Sequence, residues 1–428
     1  MIANSCITSI ESLAESEYPI VTNANISSYL NGTYITPTII STAYNIPNNY
    51  GANTKVGIIS LGGGWLTSDL TASLANLGLS LSQPVTTVLI DGATNSWTAN
   101  TQNADVENTL DLYCVAGMVP SANIVIYRSL NTTSSFGNAI NRAVSENCDV
   151  ISISWGGTES TDYLGTALAN ASANGITVCV ASGDYGSENT TGTLGVLYPA
   201  SSPNVVAVGG TQLTYNSSTY QRISESVSIY SGGGISKVFA VPSWQAGLKA
   251  NLFFSSNGNS FVSTITGRGV PDISAPFFNY IMWFGAAASN YSAANILVVG
   301  GTSASTPIMA GMFARYISAT SRRPIPNAIH PILYANTSAY SDITSGNNLS
   351  YLTGGFVANV GWDPVVGLGA PIGNVVYQMV SSGGTTVKTA ANTWSYLANV
   401  RVKTATNTWS NVQAIWTKVD STTWKQTF

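Results

Sequence analysis

Short apolar runs alternate with helix-like segments along most of this chain, and this alternation constrains the fold more than any other feature. The strand-like runs lie at 55–60, 123–127, 149–154, 176–182 and 205–210. The helix-like segments between them lie at 103–118, 136–147 and 163–174. Runs that are apolar at successive positions are typical of parallel strands covered on both faces. The sequence therefore predicts an α/β layer fold with right-handed crossovers and a mostly parallel central sheet.

The composition changes after the SSGG segment at 381–384, and we divide the chain there. Beyond it, KTAANTW, KTATNTW and KVDSTTW recur with a period of 15, which aligns Lys388, Lys403 and Lys418 and aligns Trp394, Trp409 and Trp424. We predict a main domain over 35–380, preceded by a lead segment at 1–34 and followed by a small β-rich repeat tail at 381–428. The tryptophans can form a mutual packing core or stack on a glycan or another partner.

The histidine content limits the nucleophilic chemistry available to this chain. A serine protease of the familiar type needs serine, histidine and aspartate in one constellation, yet the only histidine is His330. The G-x-S-x-G elbow of an α/β-hydrolase is also absent. We therefore interpret His330 as a helix-terminus or packing residue.

The best candidate nucleophile is Ser303, in the segment VVGGTSASTPIMAGMFARY at 298–316. Glycines precede it and an apolar helix-like stretch containing Pro307 follows, which predicts a hydroxyl at a helix N-terminus. Free backbone N–H groups there favour negative charge, including that of a tetrahedral oxyanion. The same pattern also fits a simple helix N-cap.

Without an available histidine, the base that activates a serine must be of another type, and a carboxylate is the leading choice. Glu107 and Asp111 are spaced i, i+4 on a helix-like pattern, so their carboxyls are expected on one face. Two acids in contact share a proton because both cannot ionise cheaply. A solvated helix face is the alternative. Asp184 lies in a glycine-rich turn after a strand-like run; it is either a turn residue or, when protonated, a donor to an oxyanion.

Taken together, these segments resemble the sedolisin family of serine-carboxyl peptidases over roughly 35–375. The resemblance rests on a series of motifs in family order: VGIISLGGGW, ENTLD, ISISWGG, ASGDYG, SGGGISKVFAVPSWQ, RGVPDISA, GGTSASTP, SDITSG and GWDPVVGLG. It implies a subtilisin-like three-layer fold and acid-active cleavage of protein or peptide substrates. By this resemblance Ser303 is the nucleophile, Glu107 the general base, Asp111 its support and Asp184 the oxyanion-stabilising acid.

The resemblance also implies one structural calcium ion. The positions that match are the carboxylates of Asp342 and Asp363 and the main-chain carbonyls of Ile343, Asn359 and Gly361. Oxygen ligands from two loops suit a hard cation.

Three features depart from the family pattern, and the repeat tail is one of them. Relatives usually carry a long propeptide, whereas the lead segment at 1–34 is short: either it is the remnant of a propeptide or this member matures differently. Many relatives also have a glutamate where this chain has Ser60, so the carboxylate network is expected to be shorter.

The composition narrows the remaining function classes. Charged residues make up 8% and the net charge is −4, without the clustered Lys and Arg of a nucleic-acid surface. No apolar run is long enough to cross a membrane. We interpret the four cysteines as buried free thiols, with a disulfide as the alternative. We expect a monomer. The compartment stays open: an extracellular or acidic location follows from the family, and a virion-associated one from the tail, which is similar to repeats of viral structural proteins. The alternative from another class is a catalytically silent scaffold that attaches to a partner through the repeat tail.

Overall fold

The computed structural model describes residues 34–98, 104–188, 190, 192–254, 259–285, 295–321, 323–350 and 354–381, together with short strands near both ends of the chain. The helices are α1 (Pro37–Ala43), α2 (Thr67–Ala75), α3 (Ala104–Met118), α4 (Thr133–Ser145), α5 (Gly165–Ala173), α6 (Thr302–Thr320), α7 (Ile329–Tyr334) and α8 (Gly373–Ser381). None of these described helices is long and apolar enough to span a bilayer.

The strands before residue 280 are β1 (Glu11–Ser12), β2 (Glu15–Glu17), β3 (Lys55–Ser60), β4 (Thr86–Leu89), β5 (Asn123–Arg128), β6 (Val150–Ile153), β7 (Trp155–Thr158), β8 (Thr177–Ala181), β9 (Leu197–Tyr198), β10 (Val206–Tyr215), β11 (Arg222–Val227), β12 (Gly234–Ile235), β13 (Lys249–Phe254), β14 (Asn259–Thr264), β15 (Gly269–Val270) and β16 (Ile273–Pro276). The later strands are β17 (Tyr280–Trp283), β18 (Ile296–Gly300), β19 (Tyr340–Ser341), β20 (Gly355–Phe356), β21 (Ala370–Pro371), β22 (Thr385–Ala390), β23 (Thr393–Leu397), β24 (Arg401–Ala405), β25 (Thr408–Asn411), β26 (Trp416–Lys418) and β27 (Trp424–Gln426).

The central sheet has eight strands and follows the order β11-β10-β8-β6-β3-β5-β4, with β16 pairing to β10. The pairs β3–β5, β3–β6, β4–β5, β6–β8, β8–β10 and β10–β16 are parallel, and β10–β11 is antiparallel. Every residue of β6 and β8 is buried, as expected for strands covered on both faces. The predicted α/β fold with a mostly parallel sheet is confirmed.

The helices form a layer on each face of this sheet. One buried apolar cluster contains residues of α3 and α6, such as Leu110 and Met312. A second cluster contains residues of α4 and α5, such as Phe136 and Leu168. Parallel strands joined by helices that alternate between two faces bring the carboxyl ends of the strands to a common edge, where sites in this class of fold lie.

In the part of the repeat tail that the structure describes, the strands pair as three antiparallel hairpins, β22–β23, β24–β25 and β26–β27. The register is the same in each: Lys388 faces Trp394, Lys403 faces Trp409 and Lys418 faces Trp424. The 15-residue period is therefore one hairpin per repeat. Whether the tryptophans pack together or bind a ligand concerns side chains outside the described residues.

Three of the four cysteines, Cys114, Cys148 and Cys179, are buried free thiols, as predicted, while Cys6 lies outside the described residues. His330 is the second residue of α7, 3% exposed. Its Nε2 lies 2.7 Å from the carbonyl oxygen of Val205, and its ring stacks on Trp244. The interpretation of His330 as a packing residue agrees with this environment.

Candidate active site

Ser303 is the second residue of helix α6, so it is not the residue that caps the helix. The cap position is Gly301, whose φ of 121° is a conformation that favours glycine. Glycine has no side chain, so it makes no side-chain cap bond. The Ser303 hydroxyl is therefore free for another contact. It donates a hydrogen bond to Oε2 of Glu107 over 3.1 Å.

Glu107 reaches the serine because α3 packs against α6. Helix α3 begins at Ala104, so Glu107 lies in its first turn, where the helix dipole favours a negative charge. Asp111 follows one turn later, and both side chains are fully buried. The i, i+4 pair therefore faces the molecular interior; the alternative of a solvated helix face is wrong.

Burial, together with the charge of Glu107, raises the pKa of Asp111 well above its usual range. The hydroxyl of Ser154 donates to Oδ1 of Asp111 over 2.7 Å and partly opposes that shift. Desolvation also raises the pKa of the Cys114 thiol, and the two carboxylates add to the effect. Burial therefore favours the protonated forms of Asp111 and Cys114 over their charged forms.

Asp184 lies three residues beyond the end of β8 and binds Thr302, the residue just before Ser303. Its Oδ1 accepts hydrogen bonds from the backbone N–H and from the hydroxyl of Thr302, each over 2.8 Å. The Thr302 hydroxyl in turn accepts the N–H of Gly183 over 3.1 Å. These bonds fix the carboxyl beside the N-terminus of α6 and explain why this aspartate is more than a turn residue.

Two contributors were missed by the sequence analysis. Ser154 lies at the carboxyl end of β6 and contacts both the acid pair and the main chain of Ser303, through a bond to its carbonyl oxygen of 3.3 Å. Thr302 holds Asp184. Both stand inside motifs that the analysis quoted, ISISWGG and GGTSASTP, but serine and threonine are so abundant here that their pattern carried no separate signal.

Ser60 was named above as a departure from the family pattern. Its hydroxyl donates to Oδ1 of Asn108 over 2.5 Å and to the carbonyl of Gly62 over 3.1 Å. Both of these partners are neutral groups.

The five residues expected to bind calcium lie in two segments, 342–343 and 359–363, which a hydrogen bond joins. Asp342 accepts the N–H of Gly361 over 2.8 Å, and Asp363 accepts the N–H of Asn359 over 2.9 Å. Burial, and then the Asp342 carboxylate, raises the pKa of Asp363 to about 7 although three backbone N–H groups bind it. Within the described residues, the carbonyl oxygens of Ile343, Asn359 and Gly361 accept no hydrogen bond.

This donor set fits a hard cation. The carboxylates of Asp342 and Asp363 lie close enough to interact. Among the described residues, no third acid or histidine completes a cluster with them. In the same described part of the chain, the three carbonyl oxygens accept no hydrogen bond, so their lone pairs can bind a cation. Oxygen-only donors of mixed carboxylate and carbonyl type are those that Ca²⁺ prefers.

The mostly parallel sheet with a helix layer on each face defines a subtilisin-like α/β fold, in which a buried serine at the start of α6 lies among buried carboxylates. The chain matches the Subtilase family over residues 95–343. It is 36% identical to kumamolisin of Bacillus sp. (strain MN-32) over 364 residues, 80% of this chain and 62% of that protein. It is 34% identical to sedolisin of Pseudomonas sp. (strain 101) over 353 residues, 74% of this chain and 56% of that protein.

A solved structure of Pseudomonas sedolisin, a serine-carboxyl proteinase complexed with two molecules of pseudo-iodotyrostatin, superposes with a TM-score of 0.66 at 28% identity. It covers 83% of this chain and all of that one. The chain belongs to the subtilase family, in its sedolisin branch. It spans about three fifths of the length of kumamolisin and somewhat less of sedolisin.

Proposed function

We propose that this protein is an acid-active serine-carboxyl endopeptidase that hydrolyses peptide bonds through a Ser303 acyl-enzyme. The observation that carries the proposal is the 3.1 Å hydrogen bond from the Ser303 hydroxyl to Glu107. A serine is a weak nucleophile unless a positioned base takes its proton, and Glu107 is the base within reach.

In the proposed reaction, Ser303 Oγ attacks the carbonyl carbon of the scissile bond while its proton passes to Glu107. The C–N bond then breaks, and the departing amine takes that proton. Water activated by Glu107 hydrolyses the resulting ester and releases the serine. Asp184, held by Thr302, donates a hydrogen bond from its protonated carboxyl to the oxyanion of each tetrahedral intermediate.

The proposed roles require different protonation states in three neighbouring acids. Asp111, whose pKa is raised by burial and by Glu107, retains its proton and leaves Glu107 as the anion. Asp184 must also be protonated to donate. Carboxyl groups with ordinary pKa values near 4 satisfy these conditions together only in acid, so we expect an optimum of about pH 3–5.

The test is hydrolysis of a denatured protein mixture across pH, with the cleavage sites determined by mass spectrometry. We expect Ser303→Ala and Glu107→Gln each to lower the rate at pH 4 by about a thousandfold or more. Ser305→Ala is the matched control, because Ser305 lies on the same helix but donates to the carbonyls of Ala275 and Pro276. Wild-type rates in Glu107→Gln would refute the mechanism.

A second measurement separates this proposal from a silent scaffold. A fluorophosphonate probe should label Ser303 in acid and leave Ser303→Ala unlabelled. Absence of labelling from pH 3 to 8 would favour the scaffold, with the repeat tail as its attachment module.

We further propose that Asp342 and Asp363, with the carbonyls of Ile343, Asn359 and Gly361, bind one structural Ca²⁺. Calcium should raise the midpoint of thermal unfolding, because a ligand that binds only the folded state adds about 2.7 kcal/mol at a hundred times its Kd. Asp363→Asn should abolish this response, while the exposed-site control Asp91→Asn should retain it. A chelator-treated protein that melts identically with and without calcium would contradict the site.

A further inference from the structure

The loop that carries Asp184, which covers 183–187, lies between β8 and β9 and contains no helix or strand of its own. Gly183 and Gly186 in this Asp184 loop have φ angles of 114° and 61°, conformations that favour glycine. Glycine loses more conformational freedom on ordering than any other residue, so such a loop does not hold its own shape. The position of the Asp184 carboxyl therefore depends on the contacts that hold the loop.

One side of the Asp184 loop is held by the segment 230–233 through main-chain hydrogen bonds. The N–H of Gly186 donates to the carbonyl of Tyr230 over 3.0 Å. The N–H of Gly233 donates to the carbonyl of Gly186 over 3.1 Å. The segment thus pairs with the loop much as a neighbouring strand would.

The other side of the Asp184 loop is held by a hairpin whose two arms, 346–350 and 354–358, are joined by main-chain hydrogen bonds. The N–H of Ser187 donates to the carbonyl of Asn348 over 2.9 Å. The hydroxyl of Ser187 donates to the carbonyl of Gly354 over 2.7 Å. Each arm of this 346–358 hairpin therefore binds the end of the loop.

The two sides approach each other closely at Gly186. A Cβ atom added there would lie 2.9 Å from the carbonyl oxygen of Ile229 and 3.0 Å from that of Asn348. Both distances are well inside normal van der Waals contact, so the loop is clamped between two main chains. A change in the spacing of those two main chains would move the loop.

The side chain of Asn348 sets this spacing, because it bonds to both sides. It is fully buried. Its Nδ2 donates to the carbonyls of Ser231 and Gly233 over 3.4 and 3.3 Å. Its Oδ1 accepts the N–H of Phe356, in the other arm of the hairpin, over 3.0 Å. A carboxamide supplies two donor hydrogens and an acceptor oxygen, whereas an ionised aspartate lacks the donors and leucine lacks all three.

We propose that Asn348 is a positioning residue for the peptidase reaction, which holds the Asp184 loop and thereby the Asp184 carboxyl beside the N-terminus of α6. The inference rests on the function proposed above and adds a residue that acts on the same site. The action is indirect: Asn348 joins the 346–358 hairpin to the segment 230–233, and these two together fix the loop.

A positioning role of this kind should affect the chemical step more than substrate binding. The oxyanion that Asp184 is proposed to stabilise forms only after Ser303 has attacked, so a displaced donor weakens the transition state and leaves the bound substrate almost unaffected. A displacement of about 1 Å can cost about a hundredfold in rate. Loss of the Asn348 side chain should therefore lower kcat with little change in KM.

The kinetic test measures kcat and KM at pH 4 on a fluorogenic peptide built around a bond that the wild type cleaves. We expect Asn348→Ala to lower kcat by about tenfold to a hundredfold and to change KM by less than about twofold. Asn347→Ala is the matched control and should keep the wild-type kcat, because the side chain of Asn347 bonds to the N–H of Leu349 in its own arm. In an Asp184→Ala background, Asn348→Ala should lower kcat by less than about a further twofold, because the group that it positions is absent.

A second readout does not depend on activity. The N–H of Thr302 donates to Oδ1 of Asp184, so its exchange with solvent deuterium reports whether the carboxyl stays in place. We expect Asn348→Ala to speed amide exchange at Ser187 and Thr302 by about tenfold, and Asn347→Ala to leave it unchanged. Asn348→Asp keeps an acceptor for the N–H of Phe356 and loses at least one donor hydrogen. It should shift both readouts in the same direction by a smaller amount, and it replaces Asn348→Ala if thermal melting shows that variant to be unfolded.

The outcomes separate this inference from the proposed function. Wild-type kcat in both Asn348 variants, or a loss confined to KM, would overturn the positioning role. A loss of equal size in the Asp184→Ala background would show that Asn348 does not act through Asp184, and the peptidase would still stand. Faster exchange at Ser187 and Thr302 in a protein whose wild type hydrolyses no peptide would overturn the proposed function and leave the link between Asn348 and the loop.

Discussion

Ser154 links Asp111 to the main chain of Ser303 through one hydroxyl, and a proline explains why it can do so. In a regular helix the carbonyl of residue 303 would accept the N–H of residue 307, but Pro307 has no N–H. Pro307 lies inside α6, beyond its first turn. The freed carbonyl of Ser303 accepts Ser154 instead, 3.3 Å away.

Asp184 is expected to set the upper limit of the active pH range, because a carboxyl group donates only while protonated. Asparagine keeps an oxygen for Thr302 and carries an amide donor at every pH. We expect Asp184→Asn to extend activity to higher pH than the wild type, and Asp184→Ala to lower kcat about a hundredfold to a thousandfold. Full pH profiles of kcat/KM test this. A profile of Asp184→Asn that superposes on that of the wild type would show that residue 184 is not the titrating donor.

Asp111 is expected to make the fold less stable as the pH rises. Its pKa is higher in the folded protein than in the unfolded chain, mainly through burial and then through Glu107. Its stabilising contribution is therefore complete below about pH 4 and is lost as the pH rises through the folded pKa. Asp111→Asn should lessen the fall in melting temperature between pH 4 and 7. Ser154→Ala, which removes the bond that lowers this pKa, should not lessen it; an unchanged slope in Asp111→Asn would contradict the argument.

At the scale of elements, a buried ionic cluster joins β10, β16 and α7. Asp272 precedes β16 and accepts the N–H of Ala207 in β10, the hydroxyl of Tyr334 in α7 and the guanidinium of Arg268, the last over 2.6 Å. Burial alone would raise the pKa of Asp272, but Arg268 and His330 outweigh it and hold the pKa below its usual range. This pair keeps its charges in acid.

Loss of the Arg268–Asp272 ion pair should lower the free energy of unfolding over the whole working pH range. Asp272→Asn leaves the fully buried Arg268 without its counter-ion, and removing one partner of a buried pair costs about 3–5 kcal/mol of unfolding free energy. Because the folded pKa of Asp272 is depressed, the contribution is complete above about pH 4 and declines only below it. Denaturant melts at pH 4 and 7 should show similar losses. Arg142→Gln, which breaks an exposed pair with Glu146, is the control and should cost under about 1 kcal/mol.

Over the whole molecule, the sequence was most informative where a local pattern and a chemical requirement coincide. The strand runs, the i, i+4 acids of α3 and the glycine-led start of α6 are local features, and the structure brings Glu107 and Ser303 together as expected. The helix predicted at 136–147 begins earlier, at Thr133, because the Thr132 hydroxyl accepts the N–H of Ser135 and caps it.

What the sequence could not provide depends on contacts between distant segments. The bonds of Ser154 and Thr302 form only when β6, β8 and α6 have assembled. The pairing of β1 and β2 joins residues separated by more than a hundred positions, and two or three polar residues carry no strand periodicity. The lead segment therefore had no predicted place in the fold.

The tail hairpins have a different consequence, which concerns how the chain can vary in length. The two strands of each hairpin hydrogen-bond to each other and pair with no other described strand. Whole hairpins can consequently be gained or lost in steps of 15 residues without changing the strand register of the neighbouring hairpins. Variation among close relatives should therefore appear as a count of complete hairpins behind an unaltered catalytic domain.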